Sequence, residues 1–213
     1  SLTAGGLAMK YTHDALVIGA GAAGLTAAGG CALFGLSVAL IEQAQMGGEC
    51  LNTGCVPSKA LIAAAGRAAQ HGERLGVALN KPQVSWPSVR NHIEQSIAAI
   101  EHHDSQERFE VMGVEVIRAR ASFVSRDSLR VGEQVLRAPR IVIATGSRPA
   151  IPAIAGIEGV PCLTNENLFQ ISELPRHLAI IGAGAVGMEM AQAFRRLGSE
   201  VTVIAPARPL ERD

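Results

Sequence analysis

The sequence is poor in several features that mark particular classes of protein. Only 3% of its 213 residues are aromatic, and Lys plus Arg balance Asp plus Glu at 19 each. That balance gives no electrostatic reason to expect nucleic acid or an anionic membrane as a partner. The most apolar stretch, residues 178–194, contains three motif glycines and the charged Glu189, which argues against a membrane span.

Targeting signals and cysteines are also scarce. The amino terminus lacks the basic segment and following apolar run of a secretory signal peptide, so we expect a cytoplasmic protein. The chain has only four cysteines. In a reducing compartment a cysteine pair is more often catalytic than structural.

Glycine, in contrast, is plentiful, and one group of glycines directly follows a predicted strand. Ala15–Ile18 is a short apolar run typical of a buried parallel strand, and Gly19–Gly24 (GAGAAG) comes next. A predicted helix then runs to about Phe34. The next predicted strand, Val38–Ile41, is followed by Glu42. This order predicts a βαβ unit of an α/β fold with a parallel sheet.

These spacings are those of a dinucleotide-binding site. Gly19 permits the tight turn, Gly21 lets the backbone approach a pyrophosphate, and Gly24 lets the helix pack closely on the strand. The helix N-terminus binds the phosphate, and Glu42 accepts hydrogen bonds from ribose hydroxyls. The alternative interpretation is a glycine-rich turn that binds no ligand.

A second motif of the same kind occurs near the end of the chain. Leu178–Ile181 is a predicted strand, Gly182–Gly187 (GAGAVG) is the glycine motif, and a predicted helix runs to about Leu197. Val201–Ile204 is the next predicted strand. We therefore expect a second dinucleotide site.

The residue after that strand bears on the choice of nucleotide. Ala205 occupies the position where an acidic residue would bind the ribose 2′-hydroxyl of NAD. Arg208 and Arg212 follow it and suit the 2′-phosphate of NADP, although both arginines can equally be solvated. We favour NADP slightly over NAD.

The prolines and glycines at 149–161 mark a boundary between two expected domains. We expect residues 11–150 to be the first, incomplete segment of one dinucleotide-binding domain and residues 151–213 to begin a second one, which the family resemblance described below implies to be an FAD-binding and an NAD(P)-binding domain. The chain stops at Asp213, just after a strand, so we expect a fragment.

Between the motifs the sequence predicts two helices. The first runs from Pro57 to about Gln70 and is followed by an irregular loop at 71–87. The second runs from Ser88, a suitable N-cap, to about Phe109, and Trp86 anchors its start by packing. Its expected apolar stripe is Val89, Ile93, Ile97 and Ile100.

A group of short strands follows. Residues 115–124, 128–131 and 134–137 alternate in polarity and are separated by polar turns, which predicts a small antiparallel excursion. Arg140–Ala144 returns to a buried strand. Thr145-Gly146-Ser147 then suits close approach by a ligand at the carboxyl end of that strand.

The most distinctive stretch is Gly47–Lys59 (GGECLNTGCVPSK), in which Cys50 and Cys55 are five positions apart. Five residues of an ideal helix advance about 7.5 Å, whereas a disulfide requires Cα atoms less than about 7 Å apart. The thiols can therefore bond only across a bent backbone, which Gly54 favours. Because so small a ring adds little stability, a bond made and broken during turnover explains the spacing better than a structural staple.

The residues after the pair support this interpretation. Pro57 suits the first turn of a helix, which places Cys55 at or just before a helix N-terminus. There the backbone N–H groups and Lys59 favour a thiolate. We interpret the pair as a redox-active disulfide. Two alternatives stay open: zinc binding, for which Cys31 and Cys162 offer no second pair with ligand spacing, and inert buried thiols.

Two dinucleotide sites and a dithiol in one chain suggest an electron relay. A nicotinamide delivers hydride, a flavin converts it into a form that reduces a disulfide, and the dithiol passes electrons onward. Cys55 lies nearer the predicted helix start and Lys59, so we assign it to the flavin side. Cys50 is then on the substrate side.

From about Tyr11 onwards the chain resembles the pyridine nucleotide–disulfide oxidoreductases, the flavoenzyme family of dihydrolipoamide dehydrogenase, glutathione reductase and mercuric reductase. The resemblance is carried by Gly47–Lys59, by Ala144–Ser147 and by the two glycine motifs in the same order. It implies a Rossmann-like fold, FAD at the first motif, NAD(P) at the second, and a homodimer for the full-length protein. It also implies that Lys59 lies near the flavin and pairs with Glu189.

The motifs and the resemblance together give a set of expected site residues, with no metal site. The expected catalytic residues are Cys50, Cys55, Lys59 and Glu189. The expected cofactor-binding residues are Gly19, Gly21, Ala22, Ala23, Gly24, Glu42, Gly48, Glu49, Cys50, Lys59, Ala121, Thr145, Gly146, Ser147, Gly182, Gly184, Ala185, Val186, Gly187 and Glu189.

The terminal electron acceptor stays open. Val56–Lys59 and Ala205 look closer to mercuric reductases, whereas Leu51-Asn52 and Ala60-Leu61 are equally similar to dihydrolipoamide dehydrogenase. We expect a small-molecule or protein-bound disulfide, or Hg(II), as acceptor. Family members are considerably longer, so the fragment should not turn over alone. The alternatives are a non-catalytic FAD-binding module that senses oxidants and an α/β domain with vestigial sites.

Overall fold

The protein, seen here in a computed structural model that describes residues 10–74 and 76–210, forms two compact units. The first unit comprises residues 10–52 and 100–148, and the second comprises residues 53–74, 76–99 and 149–210. The expected division near residue 150 into an FAD domain and a nucleotide domain stays a prediction.

Each end of the described chain has a strand–helix–strand pattern. The strands are β1 (Ala15–Ile18), β2 (Val38–Glu42), β3 (Gly72–Arg74), β4 (Val77–Leu79), β5 (Val114–Arg118), β6 (Ala121–Ser125), β7 (Ser128–Val131), β8 (Gln134–Arg137), β9 (Ile141–Ile143), β10 (His177–Ile181) and β11 (Glu200–Ile204). The α-helices are α1 (Ala22–Leu33), α2 (Gly48–Asn52), α3 (Cys55–Ala68), α4 (Trp86–Glu101), α5 (Gln106–Val111) and α6 (Ala185–Leu197). Short 3₁₀ helices lie at His102–Asp104, Ile157–Gly159 and Leu168–Gln170. Within residues 10–74 and 76–210, no helix has the length and apolar character needed to cross a membrane.

The first unit is built on a parallel sheet with the strand order β5-β2-β1-β9. Successive residues of its central strands face opposite sides of the sheet. Val17 and Leu40 pack in a cluster with α1, whereas Leu16 and Ile41 pack in a cluster with β7 and β8. Because both faces are covered, β1 and β2 are apolar without alternation. The predicted βαβ unit and the α/β fold class are confirmed.

The second unit is organised around α6 and the parallel pair β10–β11. The buried face of α6 packs against α3 and α4, with Leu61, Ile93 and Phe194 in one cluster. Trp86 is 5% exposed, its ring centroid lies 5.8 Å from that of Phe194, and its Nε1 donates to the Ile171 carbonyl at 2.9 Å. Trp86 therefore anchors the start of α4, as predicted.

The helix predicted at 88–109 begins earlier and is interrupted. It begins at Trp86, so Ser88 is not its N-cap; Pro87 needs no hydrogen-bond partner in the first turn, which permits the earlier start. α4 ends at Glu101, and Ser105 begins a separate helix by accepting a hydrogen bond from the Arg108 N–H at 3.3 Å. The predicted stripe is also too long, because Ile100 is 39% exposed.

Three further predictions about short strands were wrong. The loop predicted at 71–87 contains the antiparallel hairpin β3–β4. The strand predicted at 115–124 is two strands: β5 pairs parallel with β2 at the sheet edge, and only β6 belongs to the antiparallel sheet β6-β7-β8. Alternating polarity does not distinguish these pairings, because either kind of strand can have one exposed face. Ile143, predicted to be buried, is 65% exposed.

Candidate functional site

The first glycine loop, Gly19–Gly24, begins with a tight turn at Gly19. Gly19 has a φ of +101°, and a Cβ there would lie 2.3 Å from the Ala144 carbonyl oxygen. Only glycine fits this conformation and this contact. The Gly19 N–H donates to the Ile41 carbonyl at 2.8 Å, which ties the loop to the end of β2.

The N-terminus of α1 is open to a ligand. Gly21 is its N-cap and provides no side-chain cap, and the first turn, which begins with Ala22 and Ala23, contains no acidic residue. The backbone of Gly48 packs against the same point, since a Cβ on Gly48 would lie 2.6 Å from the Gly21 Cα. The N–H groups of this first turn are therefore suited to bind an anion such as a pyrophosphate.

The Glu42 carboxylate accepts backbone hydrogen bonds from two separate segments of the chain. Its Oε2 accepts from the Ala20 N–H and its Oε1 accepts from the Ala44 N–H, both at 2.6 Å. A carboxylate offers about four acceptor positions, so two remain for ribose hydroxyls. Glu42 thus has the geometry of a fixed acceptor beside the first glycine loop.

The other expected cofactor residues of the first unit lie in several elements. Thr145, Gly146 and Ser147 follow β9 and are exposed, and the Cα of Thr145 would lie 3.2 Å from a Cβ on Gly19. Ala121 is the first residue of β6, and Glu49 is an exposed residue of α2. The structure therefore brings the Ala144–Thr145 backbone, Glu42 and Gly48 to the first glycine loop.

The second glycine loop, Gly182–Gly187, repeats the backbone design of the first. Gly182 has a φ of +107°, and a Cβ on Gly187 would lie 2.3 Å from the Gly182 carbonyl oxygen. Gly184 is an N-cap without a side-chain cap, and Ala185 and Val186 are the first residues of α6. This helix N-terminus is likewise suited to a phosphate.

The residues expected to select the nucleotide follow β11. Ala205 is exposed and comes directly after the last residue of the strand, as predicted. Arg208 is also exposed. Arg212 lies outside the described residues.

The two candidate redox cysteines belong to consecutive helices. Cys50 lies in α2 and Cys55 is the first residue of α3, with Gly54 as a glycine N-cap that provides no side-chain hydrogen bond. Cys55 is exposed and carries a free thiol, so the predicted disulfide is not formed in this structure and stays a prediction. The predicted position of Cys55 at a helix N-terminus is confirmed.

Lys59 and Glu189 form an ion pair within the second unit. The Lys59 Nζ lies 2.7 Å from the Glu189 Oε2, which joins α3 to α6. The side chains of Lys59 and Glu189 are 60% and 41% exposed. The pairing that the family resemblance implied is present in the structure.

Two contacts near the first site were not recognised in the sequence. Asn52 donates from Nδ2 to the carbonyls of Met46 and Gly48 at 3.0 and 2.8 Å, which fixes the turn before Cys50. The Arg118 guanidinium donates to the Ala44 carbonyl. The position of an asparagine between two predicted redox cysteines is a visible signal for a turn. Nothing in the sequence around Arg118 indicates its contact with Ala44.

In the part of the chain that the structure describes, two carboxylates have pKa values below their usual range, and both lie outside the predicted sites. The Ser37 backbone N–H and hydroxyl lower the pKa of Asp14, and the Ser125 hydroxyl and the Arg137 guanidinium lower that of Asp127. Within the described ranges, no cluster of three or more His, Cys, Asp or Glu residues is arranged to hold a metal ion.

Together these features define the class of protein. Each glycine loop follows a parallel strand and begins a long helix with an open N-terminus, which is the Rossmann-like arrangement of dinucleotide-binding α/β proteins. The first loop also has the Glu42 carboxylate, with acceptor positions left for ribose hydroxyls. These residues fit the pyrophosphate and adenosine ribose of FAD.

The family follows from comparison with known proteins. The pyridine nucleotide-disulphide oxidoreductase family model matches residues 13–212, and the chain belongs to this family. It is 31% identical to mercuric reductase of Lysinibacillus sphaericus, over 94% of the chain and 37% of that enzyme. It is 35% identical to dihydrolipoyl dehydrogenase of Chlamydia muridarum, over 95% of the chain and 45% of that enzyme.

A solved structure gives the same relationship. The HOCl-induced flavoprotein disulfide reductase RclA from Escherichia coli superposes with a TM-score of 0.75 at 31% identity, over 89% of the chain and 41% of RclA. The predicted family and fold class are therefore confirmed. The chain spans less than half the length of these relatives.

Proposed function

We propose that the intact protein is an FAD-dependent NAD(P)H oxidoreductase that passes electrons through Cys50 and Cys55 to a disulfide or to Hg(II). The observation that carries the proposal is the position of Cys55, exposed at the open N-terminus of the 14-residue helix α3. It occurs in a chain whose family match extends over residues 13–212. A helix N-terminus favours the anionic form of a thiol, which is the reactive form.

The first glycine loop is the proposed FAD site. The open N-terminus of α1 binds the pyrophosphate and Glu42 accepts from the adenosine ribose, while Gly48 and Thr145-Gly146 provide close backbone approach. When bound, FAD couples two-electron hydride chemistry to the reduction of a disulfide.

The cysteines carry the proposed exchange chemistry. Reduction of a Cys50–Cys55 disulfide by two electrons, with uptake of two protons, gives two thiols. The Cys50 thiolate then attacks one sulfur of an acceptor disulfide and releases the other sulfur as a thiol. Cys55 attacks the mixed disulfide, releases the second product thiol and re-forms the Cys50–Cys55 bond. Lys59, held by Glu189 at 2.7 Å, provides a fixed positive charge one helical turn from Cys55.

The second glycine loop is the proposed NAD(P) site, with NADP slightly favoured. Ala205 offers no carboxylate to a ribose 2′-hydroxyl, and Arg208 follows three residues later. We further propose a cytoplasmic, homodimeric protein. Its acceptor is a small-molecule or protein-bound disulfide, or Hg(II), in line with mercuric reductase and dihydrolipoyl dehydrogenase among its relatives.

An anaerobic titration of the intact, FAD-loaded protein tests the proposal. A protein with FAD and a reducible disulfide consumes about two molar equivalents of NADPH per FAD, because each is a two-electron couple. The Cys55→Ser variant should consume about one equivalent. Cys162→Ser is the matched control and should behave as the unmodified protein does.

The same titration distinguishes the competing function. A non-catalytic FAD-binding module would consume about one equivalent with or without Cys55. An α/β domain with vestigial sites would contain no FAD after purification. Turnover with lipoamide, glutathione disulfide and Hg(II), each with NADPH and NADH, then identifies the acceptor and the nucleotide.

A further inference from the structure

The loop after β2 is held in place from the neighbouring strand. Arg118 is the last residue of β5 and is the in-register partner of Glu42, the last residue of β2. Its Nη2 donates to the Ala44 carbonyl, and the Ala44 N–H in turn donates to the Glu42 Oε1. The two peptide units that flank Ala44 thus connect the Arg118 guanidinium to the Glu42 carboxylate.

We propose that Arg118 is a positioning residue for the adenosine ribose of the cofactor and acts through Ala44 and Glu42. The proposal rests on the proposed FAD site, and it adds a residue that neither the motifs nor the family resemblance indicated. Arg118 does not replace Glu42 as the acceptor. It fixes the loop that decides which way the Glu42 carboxylate points.

The hydrogen bonds of Glu42 explain why such support is needed. The carboxylate is half-buried, and each oxygen accepts one backbone N–H, from Ala20 on one side and from Ala44 on the other. The Ala20 donor is buried within the first glycine loop, whereas Ala44 and its neighbours at 43–45 are exposed. If the exposed loop at 43–45 moves, the Glu42 carboxylate loses the Ala44 N–H, one of its two backbone donors. The carboxylate is then free to rotate away from the orientation in which its other acceptor positions face the ribose.

Arginine suits this position for a physical reason. Its guanidinium stays protonated and presents several donors in one plane, so a carbonyl can be bound in a fixed direction. Lysine supplies the charge on a flexible stem without that fixed plane. We therefore expect Arg118→Lys to keep part of the support for the loop that orients the Glu42 carboxylate, and Arg118→Ala to lose that support.

FAD affinity of the intact, deflavinated protein tests the proposal. Dissociation constants are measured for the unmodified protein and for Arg118→Ala, Arg118→Lys, Glu42→Gln and the Arg118→Ala/Glu42→Gln double variant. Arg130→Ala removes another exposed arginine of the first unit and is the matched control. Denaturant unfolding of each apoprotein shows whether the first unit stays folded.

The expected result is a loss that depends on Glu42. Arg118→Ala should weaken FAD binding roughly threefold to tenfold, the range for a lost hydrogen bond to a charged donor at an exposed site. In the Glu42→Gln background the same change should cost less than about twofold, because the two residues act through one network. Arg118→Lys should lie between, and Arg130→Ala should bind FAD as the unmodified protein does.

Three results would overturn the proposal, and one of them would also contradict the proposed ribose-binding role of Glu42. Unchanged affinity in Arg118→Ala, with weakened affinity in Glu42→Gln, rejects the role of Arg118 alone. Equal losses in both backgrounds show that Arg118 acts independently of Glu42. Unchanged affinity in Glu42→Gln rejects the ribose role of Glu42 in the proposed function and the positioning role with it.

Discussion

The two glycine loops use the same backbone design and differ in the strands that support them. Both begin with a glycine of positive φ, and both helices begin without a side-chain cap. In the first unit, Leu40 and Ile41 of β2 are at most 1% exposed. In the second, alternate residues of β10 and β11 are exposed, and Ile181 and Ile204 are 51% and 55% exposed.

The two units also differ in how they use an acid. Glu42 ends β2 and accepts from the Ala20 N–H of the first glycine loop and from the Ala44 N–H of the loop that follows β2, so its carboxylate lies beside the proposed first nucleotide site. The corresponding residue after β11 is Ala205, and the nearby acid of the second unit, Glu189, binds Lys59 instead. In the proposed function, the glycines therefore account for dinucleotide binding in general, and the acid after the second strand distinguishes the two proposed sites.

The largest expected effect tests whether the loops are separate sites. Gly24→Ala places a Cβ 1.7 Å from the Gly19 carbonyl oxygen, and Gly187→Ala places one 2.3 Å from the Gly182 carbonyl oxygen. Each clash with backbone should cost about 3 kcal/mol of local stability. We expect Gly24→Ala to lose FAD, and Gly187→Ala to keep FAD and lose NADPH affinity, as measured by bound flavin and by calorimetric titration.

Gly30→Ala is the control for this pair of changes. Gly30 lies in α1, and a Cβ there would meet nothing within 4 Å. The replacement should raise stability by about 0.5–1 kcal/mol, because alanine loses less backbone entropy in a helix. Loss of both cofactors in either clashing variant would mean that the two loops do not act as separate sites.

A smaller effect is expected from giving the second loop the acid of the first. Ala205→Asp places a carboxylate where a ribose 2′-hydroxyl would lie and repels a 2′-phosphate. The ratio of NADPH to NADH affinity of the intact protein should fall by at least about tenfold, equivalent to about 1.4 kcal/mol. An unchanged ratio would place the nucleotide selectivity elsewhere in the protein.

The Lys59–Glu189 pair should matter more for electron transfer than for stability. Exposed ion pairs contribute at most about 1 kcal/mol, so Lys59→Met and Glu189→Gln should change the unfolding midpoint little. If Lys59 supports the Cys55 thiolate, Lys59→Met should slow the alkylation of Cys55 in the reduced protein. Arg90→Met, which breaks the Arg90–Glu94 pair of α4, should leave that rate unchanged.

The smallest expected effect concerns the amino ends of the strands. Asp14 and Ser37 join the starts of β1 and β2 by reciprocal hydrogen bonds, whereas in the second unit the buried Ser199 hydroxyl donates to the Pro175 carbonyl at 2.6 Å. Because the Ser37 N–H lowers the pKa of Asp14, this stabilisation is present above the usual carboxyl range and is lost as the pH falls. Asp14→Asn should reduce the acid sensitivity of unfolding, and Ser199→Ala should not.

The glycine-rich parts of this fold were predictable, because glycines constrain the backbone locally. The strands and helices predicted around Gly19 and Gly182 have bounds that differ from the observed bounds by only a residue or two. The parallel pairing of β5 was not predictable, because its partner β2 is far away in the sequence. The break before Ser105 had a visible signal, a serine able to cap a helix, but the apolar stripe of α4 obscured it.

The candidate site likewise contains features that the local sequence predicts and features that it does not. The position of Cys55 at a helix start followed from Pro57, a local effect. The Lys59–Glu189 contact links residues 130 positions apart and was reached only through the family resemblance. Arg118 contacts a backbone carbonyl, that of Ala44, and a contact of that kind leaves no pattern of side chains in the sequence.

The most direct test of the account is a peptide-resolved map of alkylated thiols in the intact protein, before and after anaerobic NADPH. We predict that Cys50 and Cys55 are protected before reduction and become alkylated together afterwards, whereas the labelling of Cys31 and Cys162 does not change. Equal alkylation of Cys50 and Cys55 in both samples would show that electrons from NADPH do not reach this pair, and it would contradict the proposed function.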